Sequence, residues 1–213
     1  MSIIDDRIFS YGIVPVVVAR TADEGAAIAG ALADGGLPVA EVTFRTPAAA
    51  DAIARVAERG DILLGAGTVT TTAQVDRAVA AGAQYIVSPG TSRAVVERAL
   101  EHGVPVIPGA VTATEVQAAL ELGLTTVKFF PAQTSGGAAA IRALAAPFGD
   151  VTFLPTGGIG PANLADYLGI AQVAAVGGSW MLPASAVEAR AWGEISAATA
   201  DAVAAVQSLR GLD

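Results

Sequence analysis

Residues 39–65, Val39-Ala-Glu-Val-Thr-Phe-Arg-Thr-Pro-Ala-Ala-Ala-Asp-Ala-Ile-Ala-Arg-Val-Ala-Glu-Arg-Gly-Asp-Ile-Leu-Leu-Gly65, hold one complete unit of the fold. A short run, Val39–Phe44, gives way to Thr46-Pro47, which reads as a helix N-cap followed by proline at the first helical position. A helical stretch then closes on Gly60, where a C-terminal glycine belongs, and a second apolar run begins at Ile62. Strand, helix, strand with short joints is the βαβ unit of a parallel sheet.

The pattern repeats outward in both directions. Further apolar runs occur at Val14–Ala19, Tyr85–Ser88, Val104–Pro108, Thr125–Phe130, Val151–Pro155 and Val173–Val176. Most lack apolar/polar alternation, as strands buried on both faces do. Thr21-Ala-Asp-Glu24, Thr71-Thr-Ala-Gln74 and Thr112-Ala-Thr-Glu115 read as capping boxes, and Gly35, Gly82 and Gly103 as further helix stops. Eight βα units at near-even intervals predict an α/β fold, a single-domain (β/α)8 TIM barrel over residues 1–213. A doubly wound open sheet is the competitor; the count of eight favours the barrel, and no Walker-type or GxGxxG loop follows the first strand.

Composition excludes several classes of function. The chain has 213 residues, 53% hydrophobic and 15% charged, with a net charge of −8. That is ample core material for one domain and a poor match to a nucleic-acid polyanion. There is no cysteine, which removes disulfides, thiolate ligands and thiol nucleophiles. The single histidine, His102, sits beside Gly103 at an expected helix C-terminus and reads as structural, while Trp192 reads as helix packing. Asp5-Asp6 read as solvated surface, and no acidic cluster has metal-ligand spacing, so neither a metal nor another cofactor is expected. The acidic N-terminus is unlike a signal peptide, and the uncharged stretch 169–187 carries too many polar and Gly/Pro positions for a membrane span. A cytoplasmic protein without nucleic-acid or membrane partners is expected.

The chemistry centres on one residue. Eleven arginines accompany a single lysine, Lys128, inside the apolar run Thr125-Thr-Val-Lys-Phe-Phe-Pro131. Arginine cannot lose its proton in a protein; lysine in a desolvated site can, and its amine then forms an imine with a ketone. The alternative is a lysine snorkelling to solvent or gripping a phosphate as a point charge. Glu41, Thr43 and Arg45 share one face of their strand by the two-residue period, opposite Val42 and Phe44. They offer a proton-transfer carboxylate and a guanidinium for a substrate carboxylate, or else a self-satisfied Glu41–Arg45 pair. Gly65-Ala-Gly-Thr68 presents a hydroxyl with little bulk around it. Thr156-Gly-Gly-Ile159 and Gly177-Gly-Ser-Trp180 follow strands seven and eight, where barrels commonly bind phosphate, although tight turns need glycine too.

These blocks, with Gly12-Ile-Val-Pro-Val16, Ser88-Pro-Gly90, Ile107-Pro-Gly109 and Lys128-Phe-Phe-Pro-Ala132, resemble in order and spacing the family of 2-keto-3-deoxy-6-phosphogluconate (KDPG) and 4-hydroxy-2-oxoglutarate (KHG) aldolases. The resemblance implies a metal-independent class I aldolase, usually a homotrimer, acting on a small phosphorylated keto acid in the Entner–Doudoroff route. It implies Lys128 as imine former and Glu41 as proton carrier, with Arg45, Thr68 and Thr156 on the pyruvyl portion and Pro89 and Phe130 lining the pocket. It places Gly157, Gly158, Gly178 and Ser179 at the phosphate end. Family members often carry glutamate where this chain has Gln133. The alternative substrates are KHG and the galactonate-derived epimer; from another class, a sugar-phosphate isomerase or epimerase needs an acid/base pair but no imine.

Overall fold

The computed structural model describes residues 3–211, with side chains from residue 7 onward; Asp5-Asp6 fall outside the described side chains. All eight expected strands are present: β1 Ile13–Val17, β2 Val39–Thr43, β3 Leu63–Gly67, β4 Tyr85–Val87, β5 Val106–Ile107, β6 Thr126–Phe129, β7 Thr152–Pro155 and β8 Val176–Gly178. Six pair in parallel in the order β5-β4-β3-β2-β1-β8, and β6 pairs with β7. Single bridge pairs, Gly109 with Lys128 and Thr156 with Gly177, join the two groups at both ends. The ring is therefore closed. This decides for the barrel over the open sheet, which periodicity alone left in competition.

Helices follow the strands and cover the outside. Helix Ala49–Ala57 buries Ala49, Ala52, Ile53 and Val56 on one stripe against the barrel wall. Full burial of an Ile or Val side chain contributes about 1.5–3 kcal/mol. An additional helix, Ile3–Ser10, precedes β1, and the last helix, Trp192–Arg210, returns to it. There Arg210 donates from Nη1 to the carbonyls of Phe9 at 3.1 Å and Ser10 at 3.0 Å, tying the chain ends together.

Several local readings are corrected. Thr112 and Glu115 form the full reciprocal capping box. Thr21 and Thr71 do cap, accepting from the N–H of Glu24 and Gln74. However, Glu24 and Gln74 reach one residue further back, to the N–H of Arg20 at 2.6 Å and Thr70 at 2.7 Å, because those amides lie outside the helix without a ladder partner. Thr46 is not an N-cap: its hydroxyl donates to the Ala19 carbonyl at 2.6 Å, across to the end of β1, and the helix begins at Ala49. Gly60, Gly82 and Gly103 are left-handed as expected, but after Asp34 the left-handed residue is Gly36 rather than Gly35. The last strand also shifts. Val173 makes only a bridge to Phe153, while β8 proper starts at Val176 to pair with Ile13.

Candidate active site

Inside β6 the two-residue alternation sends Phe129 outward into the core and Lys128 inward, with a side chain only 4% exposed. Its Nζ donates to Glu41 of β2, 3.0 Å from Oε1 and 3.4 Å from Oε2. In an eight-stranded ring β2 and β6 stand on opposite sides, so the two side chains meet across the barrel's centre. They can do so because neighbouring positions carry no side chain. A Cβ on Gly67 would lie 2.0 Å from Glu41 Oε1 and 2.4 Å from its Cγ. A Cβ on Gly65 would fall into the Tyr85 ring at 2.1 Å, and one on Gly177 would strike Thr156 Oγ1 at 2.2 Å. Gly67→Ala is accordingly expected to displace the Glu41 carboxylate from Lys128, lowering turnover at least tenfold and stability by about 1–3 kcal/mol. Steady-state assay and denaturant titration of that variant check it; wild-type turnover would contradict the packing.

A buried ion pair is poor evidence of stabilisation, since desolvating both charges offsets most of their attraction. Neither Lys128 nor Glu41 lines the cavity described below, but an amine and a carboxylate joined at the barrel's dry centre are better read as chemistry. The Phe130 ring centroid lies 5.4 Å from Lys128 Nζ, so of the two adjacent phenylalanines it is Phe130 that faces the amine, in cation–π range. Beneath the pair lies Tyr85, unforeseen from sequence. It is fully buried, and its hydroxyl donates to the Ala40 carbonyl at 3.0 Å. Burial, and then the charge of Glu41, hold its phenol proton on well above the ordinary tyrosine range. The only signal for it was a large ring in β4 opposite the side-chain-free Gly65 of β3.

At the mouth, Arg45 is exposed and makes no ion pair among the described residues; its Nε approaches Thr68 Oγ1 at 3.4 Å. The self-satisfied Glu41–Arg45 pair is not what forms, because Glu41 is committed to Lys128. Thr43 is committed as well, donating to the Val17 carbonyl at 3.0 Å. Thr68 has a φ of 55°, rare for a β-branched residue. Such strain costs on the order of 1–3 kcal/mol and clusters at functional sites.

Arg45, Phe130, Thr156, Gly157, Gly158, Gly178 and Ser179 line one cavity of about 140 Å³, with Val16 and Ile159 completing its wall. Seven residues singled out from sequence thus converge on one space. Pro89 is half-buried behind Gly109, whose Cβ would lie 2.1 Å from the Pro89 carbonyl, and it is not part of this wall. Among the described residues, the N–H groups of Gly158 and Ile159 donate to no protein acceptor, while that of Gly157 faces β8 at the Thr156–Gly177 bridge. His102 lies on the outer helices, its Nε2 2.7 Å from Asp76 Oδ1, as a structural reading requires. Hydrogen bonds from Arg98 and then His102 hold the Asp76 carboxyl below its ordinary range. Trp192 packs beside buried Ile195. No group of three His, Cys, Asp or Glu side chains among the described residues is placed to hold a metal ion. Nor is any helix among them long and apolar enough to cross a membrane.

Residues 4–198 match the family model for KDPG and KHG aldolase. A 2-dehydro-3-deoxy-phosphogluconate aldolase of Treponema pallidum is 49% identical over 186 residues, 87% of this chain and 89% of that protein. A KDPG aldolase of Legionella pneumophila, solved with pyruvate captured at low pH as a covalent carbinolamine intermediate, superposes with a TM-score of 0.88 at 37% identity, covering 91% of this chain and 95% of that one. The aldolase of Zymomonas mobilis ZM4, solved with 3-phosphoglycerate, gives 0.83 at 38% identity over 92% and 95% of the two chains. On the family match and this level of identity, the chain belongs to the KDPG and KHG aldolase family.

Proposed function

We propose that the protein is a class I aldolase that cleaves KDPG to pyruvate and D-glyceraldehyde 3-phosphate, with Lys128 as the imine-forming nucleophile. The observation that carries this is the lone lysine, buried and 3.0 Å from the Glu41 carboxylate at the centre of the barrel. The pair supplies its own proton bookkeeping. Transfer of one proton from Nζ to Glu41 leaves a neutral amine that attacks the C2 ketone. Glu41, now a carboxylic acid, protonates the departing C2 hydroxyl, so water leaves and a protonated iminium forms. Glu41 is a carboxylate again and accepts the C4 hydroxyl proton as the C3–C4 bond breaks, its electrons flowing to the iminium. The aldehyde departs, the enamine is protonated at C3, and hydrolysis releases pyruvate and Lys128. The Phe130 face favours the cationic states along this path.

The remaining roles follow from position. Arg45, uncommitted to any carboxylate among the described residues, and Thr156 hold the pyruvyl end from the cavity wall, with the Thr68 hydroxyl beside Arg45 although Thr68 itself is not part of that wall. Gly157, Gly158, Gly178 and Ser179 hold the phosphate at the other end of the cavity, with Pro89 behind the pocket. The uncommitted N–H groups of Gly158 and Ile159 favour a phosphorylated substrate over KHG. No cofactor is needed for this chemistry. A homotrimer, a cytoplasmic location and a single unit spanning residues 1–213 complete the proposal, resting on family likeness and composition.

The test is chemical trapping. Incubation with pyruvate and sodium borohydride should add a reduced pyruvyl group to Lys128, located by peptide mass spectrometry. An unmodified Lys128 in folded protein would sink the reading.

A further inference from the structure

Gly157 and Gly158 have φ values of 101° and 75°, two successive left-handed residues in the loop after β7. Such a segment has much conformational freedom in isolation, so something must hold it. Part of the hold is backbone: the N–H groups of Ala132 and Gln133 donate to the carbonyls of Thr156 at 2.8 Å and Gly157 at 3.0 Å. The N–H groups of Asn163 and Leu164 also donate to the Gly160 carbonyl, at 3.1 and 3.0 Å, and one side chain adds to the hold. Asn163 Nδ2 donates to the Gly158 carbonyl at 3.0 Å, and Asn163 Oδ1 accepts from the Gly160 N–H at 2.9 Å. The same Nδ2 also approaches Gln133 Oε1 at 3.4 Å, and that oxygen accepts from the Tyr167 hydroxyl at 2.8 Å.

The consequence lies in which groups are used up. The carbonyls of Gly157 and Gly158 are both occupied by donors from residues 133 and 163, neither of which lines the cavity. The N–H groups of Gly158 and Ile159 stay uncommitted, in residues that do line it. We propose that Asn163 is a positioning residue for anion recognition. By fixing the Gly158 carbonyl and the Gly160 amide it turns the Ile159 N–H, which points opposite to the Gly158 carbonyl in the same peptide unit, toward the phosphate end of the cavity, and so sets the preference for phosphorylated over unphosphorylated substrates. This deepens the proposed function and rests on its assignment of that end of the cavity.

Asn163→Ala removes both loop hydrogen bonds. Asn163→Asp keeps an acceptor for Gly160 but has no donor for the Gly158 carbonyl when ionised. Binding of 3-phosphoglycerate, read by calorimetry, is expected to weaken about tenfold in both variants. Borohydride trapping of pyruvate on Lys128 should remain within twofold of wild type. In turnover, KM for KDPG should rise about tenfold while kcat for KHG stays within twofold, a split that general loosening of the fold does not produce. Unchanged 3-phosphoglycerate affinity in both variants would overturn the role, as would equal losses of phosphoglycerate binding and pyruvate trapping. Failure of trapping in the wild type would instead reject the imine chemistry, leaving the calorimetric comparison to read Asn163 by itself.

Discussion

Lys128→Arg is expected to lose at least about 10⁴-fold in kcat, the scale seen when a covalent nucleophile is removed. Arginine keeps the positive charge opposite Glu41 and most of the volume, but its guanidinium does not form an imine with a ketone. Lys128→Met serves as the partner experiment, because it removes charge as well. Methionine leaves the Glu41 carboxylate buried without its counter-ion at 0% exposure, which in other buried pairs costs about 3–5 kcal/mol. The two variants should therefore be equally inactive and unequally stable, with Arg the more stable in a denaturant titration. Near wild-type turnover in Lys128→Arg would end the imine mechanism. Equal stability of the two would show that the ion pair contributes little to holding the barrel's centre.

Glu41→Gln separates forming the imine from using it. The amide preserves the shape that fits beside Gly67 but neither accepts nor delivers a proton. Loss of a general acid–base group typically lowers rate by about 10²–10⁴-fold, and kcat for KDPG cleavage is expected in that range. Pyruvate should still be trapped on Lys128 by borohydride over a long incubation, since slow imine formation can use solvent as the proton source. Exchange of the pyruvate C3 protons with deuterium, followed by NMR, should fall along with cleavage. Trapping that disappears altogether would make Glu41 essential to the attack itself; unchanged exchange would assign the C3 proton to another group.

Much of the site was legible because chemistry imposes residue types. A lone lysine among eleven arginines marks a place where arginine cannot serve, and the charged inner face of Glu41-Val-Thr-Phe-Arg45 breaks an otherwise apolar run. The glycine pairs after β7 and at the end of β8 stood out for a backbone reason: Gly157 and Gly158 are left-handed, and a Cβ on Gly178 would meet the Trp180 ring at 2.0 Å. Legibility failed where a partner distant in sequence decides. Glu41 has Arg45 four residues away, yet it pairs with Lys128, 87 residues on, because barrel closure puts β2 opposite β6. Thr46 has the sequence of an N-cap, but the end of β1 offers it an unsatisfied carbonyl at Ala19. Tyr85 and Asn163 carry no local signature. Their roles exist only once the Ala40 carbonyl and the Gly158 loop lie beside them.

The sequence by itself determined the eight strands, the helices between them and the residues able to do imine chemistry, since apolar runs, capping residues and side-chain reactivity are local properties. Closure was a matter for the tertiary structure. The ring depends on single bridges, Gly109 with Lys128 and Thr156 with Gly177, between segments whose periodicity is identical in an open sheet. Closure in turn decides which charges share the dry centre and which carbonyls and amides are left for a ligand. Distance in three dimensions sets electrostatic coupling, and separation along the chain does not report it.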